Sequence, residues 1–296
     1  MIKYYRLFTY FFSDLVITIF SLFHSIFSKC IIFNNSNIQS GQIFIFANGP
    51  SLKNVLNSQL LKFSSKSILV VNDFAQSSFY KHLKPKYYIF ADPGYWLPNN
   101  FVSEKMISER TLTFNTIVNA TNWNIDLFIP YTSHNSAIIR YLHSNSFIHV
   151  KYYNTFVFKL KLQAFINFNL KYNITATTHN VLAAAIFISI NIGFKNIILL
   201  GADHSWFQDM RVDDFSRLCL IERHVYDNNN HQYNLIPWMK ITNSGKTVFK
   251  LSEILDAFSK TFYQYDKLES YAKKYNVNIL NCTPNSFIDS FKKGLL

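Results

Sequence analysis

The stretch Gln42-Ile43-Phe44-Ile45-Phe46-Ala47-Asn48-Gly49-Pro50-Ser51 decides the fold. Its apolar part is short and ends abruptly in a turn, as a buried parallel strand does. Gly49 permits a tight turn and close backbone approach. Pro50 sets the chain for the first turn of a helix, and Ser51 or Asn48 can cap it. Leu52 to Phe63 then carries helical spacing. Free N–H groups at such a helix start suit a phosphate; a plain strand-to-helix turn is the other reading. The turn is neither GxGxxG nor a Walker-type GK[ST] loop.

The pattern repeats outward from this unit. Ser67 to Val71 reads as a second strand, followed by Asn72-Asp73 and a helical stretch to His82. Lys86 to Ala91 reads as a third strand, ending at Asp92-Pro93-Gly94. Weaker strands are expected at Thr111 to Phe114, Ile125 to Ile129 and Phe147 to Tyr152. Val181 to Ile192 is an Ala-rich helical run closed by Gly193, and Asn196 to Leu200 is another buried strand. A long helix over Ser252 to Tyr275 and a last strand over Val277 to Leu280 complete the chain. Such alternation predicts an α/β fold: a Rossmann-like, mostly parallel sheet with helices on both faces.

Four of these strands end in polar clusters: Asn48 to Ser51, Asn72-Asp73, Asp92 to Gly94, and Gly201-Ala202-Asp203-His204. Ligands of open parallel sheets sit beyond the carboxyl ends of the strands. The four clusters therefore belong together on one edge. The segment Gly201 to Asp227 is dense in Asp, His and aromatic residues. It reads as a loop and helix closing over a ligand, with His224 or His204 as general base. Asp203, His204 and Asp214 are the conceivable metal ligands, but their spacing fits no standard site, and no metal is expected.

Bulk properties set the partners. There are 29 Lys+Arg against 17 Asp+Glu, a net charge of +12. The excess suits an anionic nucleotide donor or an acidic membrane surface; an AT-rich genome would give a similar composition. The lysines are scattered and form no basic helix or arm, which argues against nucleic acid. Cys30, Cys219 and Cys282 are far apart, so neither a disulfide framework nor structural zinc is expected. Leu7 to Phe33 is apolar and aromatic, with Lys3 and Arg6 before it. Residues 1–33 are read as a membrane-associating helix that spans, lies in the interface, or packs on the protein. No cleavage site for a signal peptide follows. Residues 34–41 are read as a linker and 42–296 as one transferase domain. The expected location is the cytoplasmic face of an inner membrane, and an oligomer is left open.

Further stretches carry a resemblance. Phe46 to Leu52 (FANGPSL), Gly193 to Trp206 (GFKNIILLGADHSW) and Asn278 to Phe291 (NILNCTPNSFIDSF) resemble the bacterial lipooligosaccharide sialyltransferases of glycosyltransferase family 42. Leu83 to Trp96 (LKPKYYIFADPGYW), with LLGADHSW and HVYD, is similar to the wider domain-of-unknown-function 115 group. That group includes motility-associated-factor glycosyltransferases and an archaeal 6-hydroxymethylpterin diphosphokinase. The likeness runs patchily from Gln42 to Phe291 and skips Asn99 to Asn173.

The resemblance implies a GT-A-like single domain with a lid segment. It also implies inverting, metal-independent transfer of an acidic sugar from a CMP-activated donor to a glycan or lipid-linked acceptor. Asn48 and Ser51 would hold phosphate and ribose, and Asn72 the nucleotide. Asp92 stands where that family has Asn, and Ser205 or Trp206 where it has a Tyr assisting the leaving phosphate. The base would be His224, with His231 second. The diphosphokinase likeness implies instead a Mg²⁺-dependent phosphoryl transfer with Asp92 and Asp203 as ligands. A third reading is a membrane-tethered nucleotide-binding scaffold without activity.

Overall fold

The computed structural model describes residues 41–155, 180–221, 225, 236–242 and 245–296. The segment 1–33, residues 34–40 of the expected linker and residues 156–179 lie outside them. Among the described residues, no helix is long and apolar enough to cross a membrane.

The first strand, β1 (Gln42–Phe46), leads through Asn48 to Ser51 into α1 (Ser51–Gln59). Then come β2 (Ser67–Val71), the short helix α2 (Tyr80–Leu83), β3 (Tyr87–Ile89) and α3 (Glu104–Ala120). They are followed by β4 (Ile125–Pro130), α4 (Ala137–Leu142) and β5 (Ile148–Tyr153). The second half holds α5 (Val181–Asn191) and β6 (Asn196–Leu200). Five short strands succeed it: β7 (Met210–Val212), β8 (Leu218–Leu220), β9 (Ile236–Pro237), β10 (Met239–Thr242) and β11 (Gly245–Val248). The chain ends with α6 (Leu251–Lys274), β12 (Asn278–Asn281) and β13 (Lys292–Lys293).

Eight strands form one sheet in the order β13-β12-β6-β1-β2-β3-β4-β5, and every pairing in it is parallel. The fold is the expected Rossmann-like α/β arrangement. Alternation along β1 explains the two layers. Ile43, Ile45 and Ala47 face α5 and α6, whereas Phe44 and Phe46 face α1, α3 and α4. Burying each of these side chains fully contributes about 1.5–3 kcal/mol. Helix α5 is apolar all round because it lies between the sheet and α6. Ring stacking of Phe187 on Tyr271 (5.7 Å) joins the two helices.

Strand order reverses at β1. The chain runs outward through β2, β3, β4 and β5, then returns to place β6 on the other side of β1. This is the switch point at which open α/β sheets form their ligand crevice.

Two expectations are corrected. Thr111 to Phe114 is not a strand but part of α3, whose buried residues Arg110, Thr113, Phe114 and Ile117 repeat at helical spacing. Among the described residues, the segment after β6 holds no α-helix before α6. A 3₁₀ turn at Trp206–Asp209 leads into an antiparallel sheet of β7, β8 and β9, followed by the β10–β11 hairpin. Met210, Arg211 and Val212 are half-buried or exposed, so no apolar period announced the change.

Candidate functional site at the strand switch point

A cleft of about 530 Å³ opens where β1 and β6 part. Asn48, Gly49, Pro50, Asn72, Asp92, Asp203, His204, Ser205 and Trp206 all line it. Nine of the predicted residues, drawn from four separate loops, thus meet at one site. Ser51 stands just behind it.

The two central turns are laced together. Gly49 N–H donates to the Gly201 carbonyl at 2.9 Å, continuing the β1–β6 ladder past the strand ends. A Cβ on Gly49 would fall 2.0 Å from Asp203 Oδ2 and 2.4 Å from the Gly201 oxygen. Gly201 itself has φ +69°, and a Cβ there would fall 2.4 Å from the Ala47 oxygen. Glycine at both positions is therefore a condition of the close approach.

The start of α1 holds a group of the protein's own. Ser51 Oγ donates to Asp203 Oδ2 at 2.8 Å, and Ser51 N–H donates to Asp203 Oδ1 at 3.3 Å. The anion attracted by this helix terminus is thus Asp203, in the place the sequence reading gave to a donor phosphate. Burial raises the Asp203 pKa, and the hydrogen bonds from Ser51 partly offset that rise. The Cys282-Thr283-Pro284-Asn285-Ser286 segment buttresses the same loop. Thr283 Oγ1 accepts from Ala202 N–H at 3.0 Å, and Ser286 Oγ donates to the Ala202 carbonyl at 2.6 Å.

Next to it, His204 is 6% exposed with φ +54°. Its Nε2 lies 2.5 Å from the Tyr265 hydroxyl, and Trp206 lies across its ring at 4.2 Å. Burial pushes its pKa down to about 3. The imidazole is therefore neutral and occupied near neutral pH. That suits a fixed wall of the cleft better than an exchanging base.

Asn48 and Asn72 form the floor. Asn48 Nδ2 donates to the Val71 carbonyl at 3.0 Å, which ties the end of β1 to the end of β2. Asn72 adopts φ +44°, and its carbonyl accepts from the Tyr88 hydroxyl. Both asparagine side-chain oxygens are buried and, among the described residues, have no hydrogen-bond partner. An unmet buried acceptor costs about 1–3 kcal/mol, so each calls for a donor from water or a ligand.

Beside the floor, Asp73 belongs to a polar network whose other members the sequence reading did not single out. Asp73 accepts from the Tyr95 hydroxyl at 2.6 Å and from Thr113 Oγ1 at 2.5 Å. Arg110 donates to the carbonyls of Gly94 (2.7 Å) and Leu97 (2.6 Å) and to Asn99 Oδ1. These bonds fix the loop carrying Asp92, whose Oδ1 accepts from Gly94 N–H at 2.7 Å.

The far wall comes from α6 and the small sheets. Glu253, Ile254, Ala257, Phe258 and Thr261 line the cleft at helical spacing, joined by Trp238 and Phe249. None of these was singled out from sequence, because they converge only through tertiary packing. His224 and His231 lie outside the described residues. Val225, however, is 1% exposed, and its N–H donates to the Asn48 carbonyl at 2.9 Å.

The fold matches that of a solved glycosyltransferase. The similar structure is the MAf glycosyltransferase from Magnetospirillum magneticum AMB-1, with TM-score 0.50 and 12% identity. The match covers 90% of this chain and 35% of that one, so this chain spans about a third of the other's length. At that identity the likeness speaks for the fold alone. No protein-family profile and no curated protein matches the sequence.

Proposed function

We propose that this chain is a glycosyltransferase that moves an acidic, sialic-acid-like sugar from a CMP-activated donor to a glycan or glycoconjugate acceptor. The observation that carries the reading is the cleft at the β1/β6 switch point. There Asn48, Asn72 and Asp203 offer acceptor oxygens to ribose and base, and Val225 anchors the segment next to His224 against Asn48. The fold likeness to a solved glycosyltransferase is compatible with that reaction class.

In this reading His224 takes the proton of an acceptor hydroxyl. That oxygen forms its bond to the anomeric carbon as the bond from that carbon to the phosphate oxygen breaks. CMP departs with the bonding electron pair, and the configuration inverts. The enzyme works at the cytoplasmic face of a membrane, held by residues 1–33.

The described lining of the cleft is acidic. Asp73, Asp92, Glu109, Asp203, Asp209 and Glu253 line the cleft, and among the described residues no Lys or Arg does. Adjacent phosphates would be repelled unless a cation came with them. The same acidity keeps a second reading in view, a Mg²⁺-dependent diphosphokinase acting on ATP. Asp92 and Asp203 already have partners, and among the described residues no three His, Cys, Asp or Glu side chains converge to hold a metal. Any Mg²⁺ would therefore have to arrive with the nucleotide.

A thermal-shift panel of CMP, UDP, GDP and ATP, each with and without Mg²⁺, separates the two readings. Ligand present at about 100 times its dissociation constant adds roughly 2.7 kcal/mol of stability. We expect stabilisation by CMP that EDTA leaves unchanged. Stabilisation by ATP alone, and only with Mg²⁺, would sink the transfer reading.

A further inference from the structure

Part of the cleft lining is aromatic and, Trp206 apart, has no place in the donor account. Helix α6 contributes Phe258 and Glu253 there, and Trp206, Trp238 and Phe249 complete an aromatic wall. Trp206 is already covered on two sides: His204 lies at 4.2 Å and Phe258 stacks at 5.3 Å with 24° between the rings. Trp238 is different. Its ring contacts are an edge contact to Phe249 at 62° and a tilted contact to Phe258 at 44°, so neither is stacked on it. Its half-buried indole lines the cleft, and among the described residues no ring stacks on it.

Glu253 lies beside this wall in a fixed pose. Lys240 pairs with its Oε1, and Lys250 N–H donates to Oε2 at 2.8 Å. A carboxylate has about four lone-pair positions, so two remain for other donors. The C–H face of a pyranose packs on an aromatic ring, and its hydroxyls donate to carboxylates. A carboxylate on the sugar at this end would face Glu253, whose Oε1 already holds Lys240.

We propose that this aromatic end is the acceptor subsite and that it takes an uncharged pyranose, with Trp238 as the platform and Glu253 receiving the hydroxyls. The proposal rests on the glycosyl-transfer reading above.

Ligand-observed NMR on the full chain tests it, with methyl β-glucoside, methyl β-galactoside and methyl β-glucuronide as probes, each with and without CMP. The glucuronide differs from the glucoside by one carboxylate. We expect at least one neutral glycoside to bind at least about tenfold tighter than the glucuronide, and Trp238→Ala to weaken it about tenfold. Trp238→Phe should retain most of the binding. Glu253→Gln, which preserves the acceptor at the start of α6, should narrow the preference for neutral over charged sugar. CMP stabilisation, read separately by thermal shift, should be the same in all three variants and reports that each is folded. Equal binding of glucoside, galactoside and glucuronide, or neutral-sugar binding unmoved by Trp238→Ala, overturns the subsite. Loss of CMP stabilisation in the unaltered protein removes instead the donor reading beneath it.

Discussion

Asp203 and His204 are consecutive residues whose protons respond to burial in opposite directions. Burial holds the His204 pKa near 3, against an ordinary 6.5. As pH falls through 6.5 the unfolded chain gains a proton that the folded chain refuses, so acid favours unfolding. Asp203 is raised above the ordinary 3.8, so its folded form takes a proton first and acid favours folding in that window. The histidine opposes this over the whole range from 6.5 to about 3. By pH of about 4 it removes on the order of 3 kcal/mol. Urea unfolding across a pH series should therefore show stability falling below 6.5. His204→Asn, which tolerates the positive φ, should flatten that fall, and Asp203→Asn should steepen it. An unchanged slope in His204→Asn would refute the assignment.

At the scale of elements, α3 decides whether the floor of the cleft is rigid. Its N-terminus is capped by Ser103, whose Oγ accepts from Met106 N–H at 3.2 Å. From its second turn Arg110 reaches back to bind the loop between Gly94 and Asn99. Hydrogen bonds to a charged group are worth about 1.5–3 kcal/mol each, and replacement water recovers part of that. Arg110→Met should cost roughly 2–4 kcal/mol by urea unfolding. It should also weaken CMP binding, because the Asp92 loop loses its tether. Intact stability and intact binding together would count against this role.

The same helix shows what the sequence could reveal. Strands β1, β2 and β6 were legible because a fully buried parallel strand is a short apolar run closed by turn residues. The cradle was legible because Gly49, Asn72, Asp92 and Gly201 stand at strand ends. Thr111 to Phe114 was misread because four apolar or β-branched residues fit either period. Only the wider spacing of Arg110, Thr113, Phe114 and Ile117 resolves them. The aromatic wall was not legible, since Trp238, Phe249 and Phe258 share no period and meet only when the small sheets fold onto α6. One signal was present: Trp238 is one of 4 Trp in the chain.

Across the whole molecule, charge is sorted by place. The chain carries 29 Lys+Arg against 17 Asp+Glu, yet six of the acids line the cleft and, among the described residues, no Lys or Arg does. The described basic side chains therefore lie elsewhere, where they draw the body toward anionic surfaces while the acidic cleft repels them. A lipid surface is therefore expected to be met by the outside of the body, with the cleft left clear for the acceptor. Exposed charges act over about 10 Å at 0.1 M salt and about 3 Å at 1 M, so such attraction is screened by salt. Insertion of the apolar segment 1–33 would not be. Co-sedimentation of the full chain with phosphatidylglycerol-rich vesicles, compared with phosphatidylcholine alone, separates the two contributions. We expect strong binding to the anionic vesicles at low salt. At about 0.5 M salt we expect the bound fraction to fall to the level seen with neutral vesicles, and that level is the share held by insertion. Equal binding to both vesicles at every salt concentration would mean that the basic surface has no part in membrane attachment.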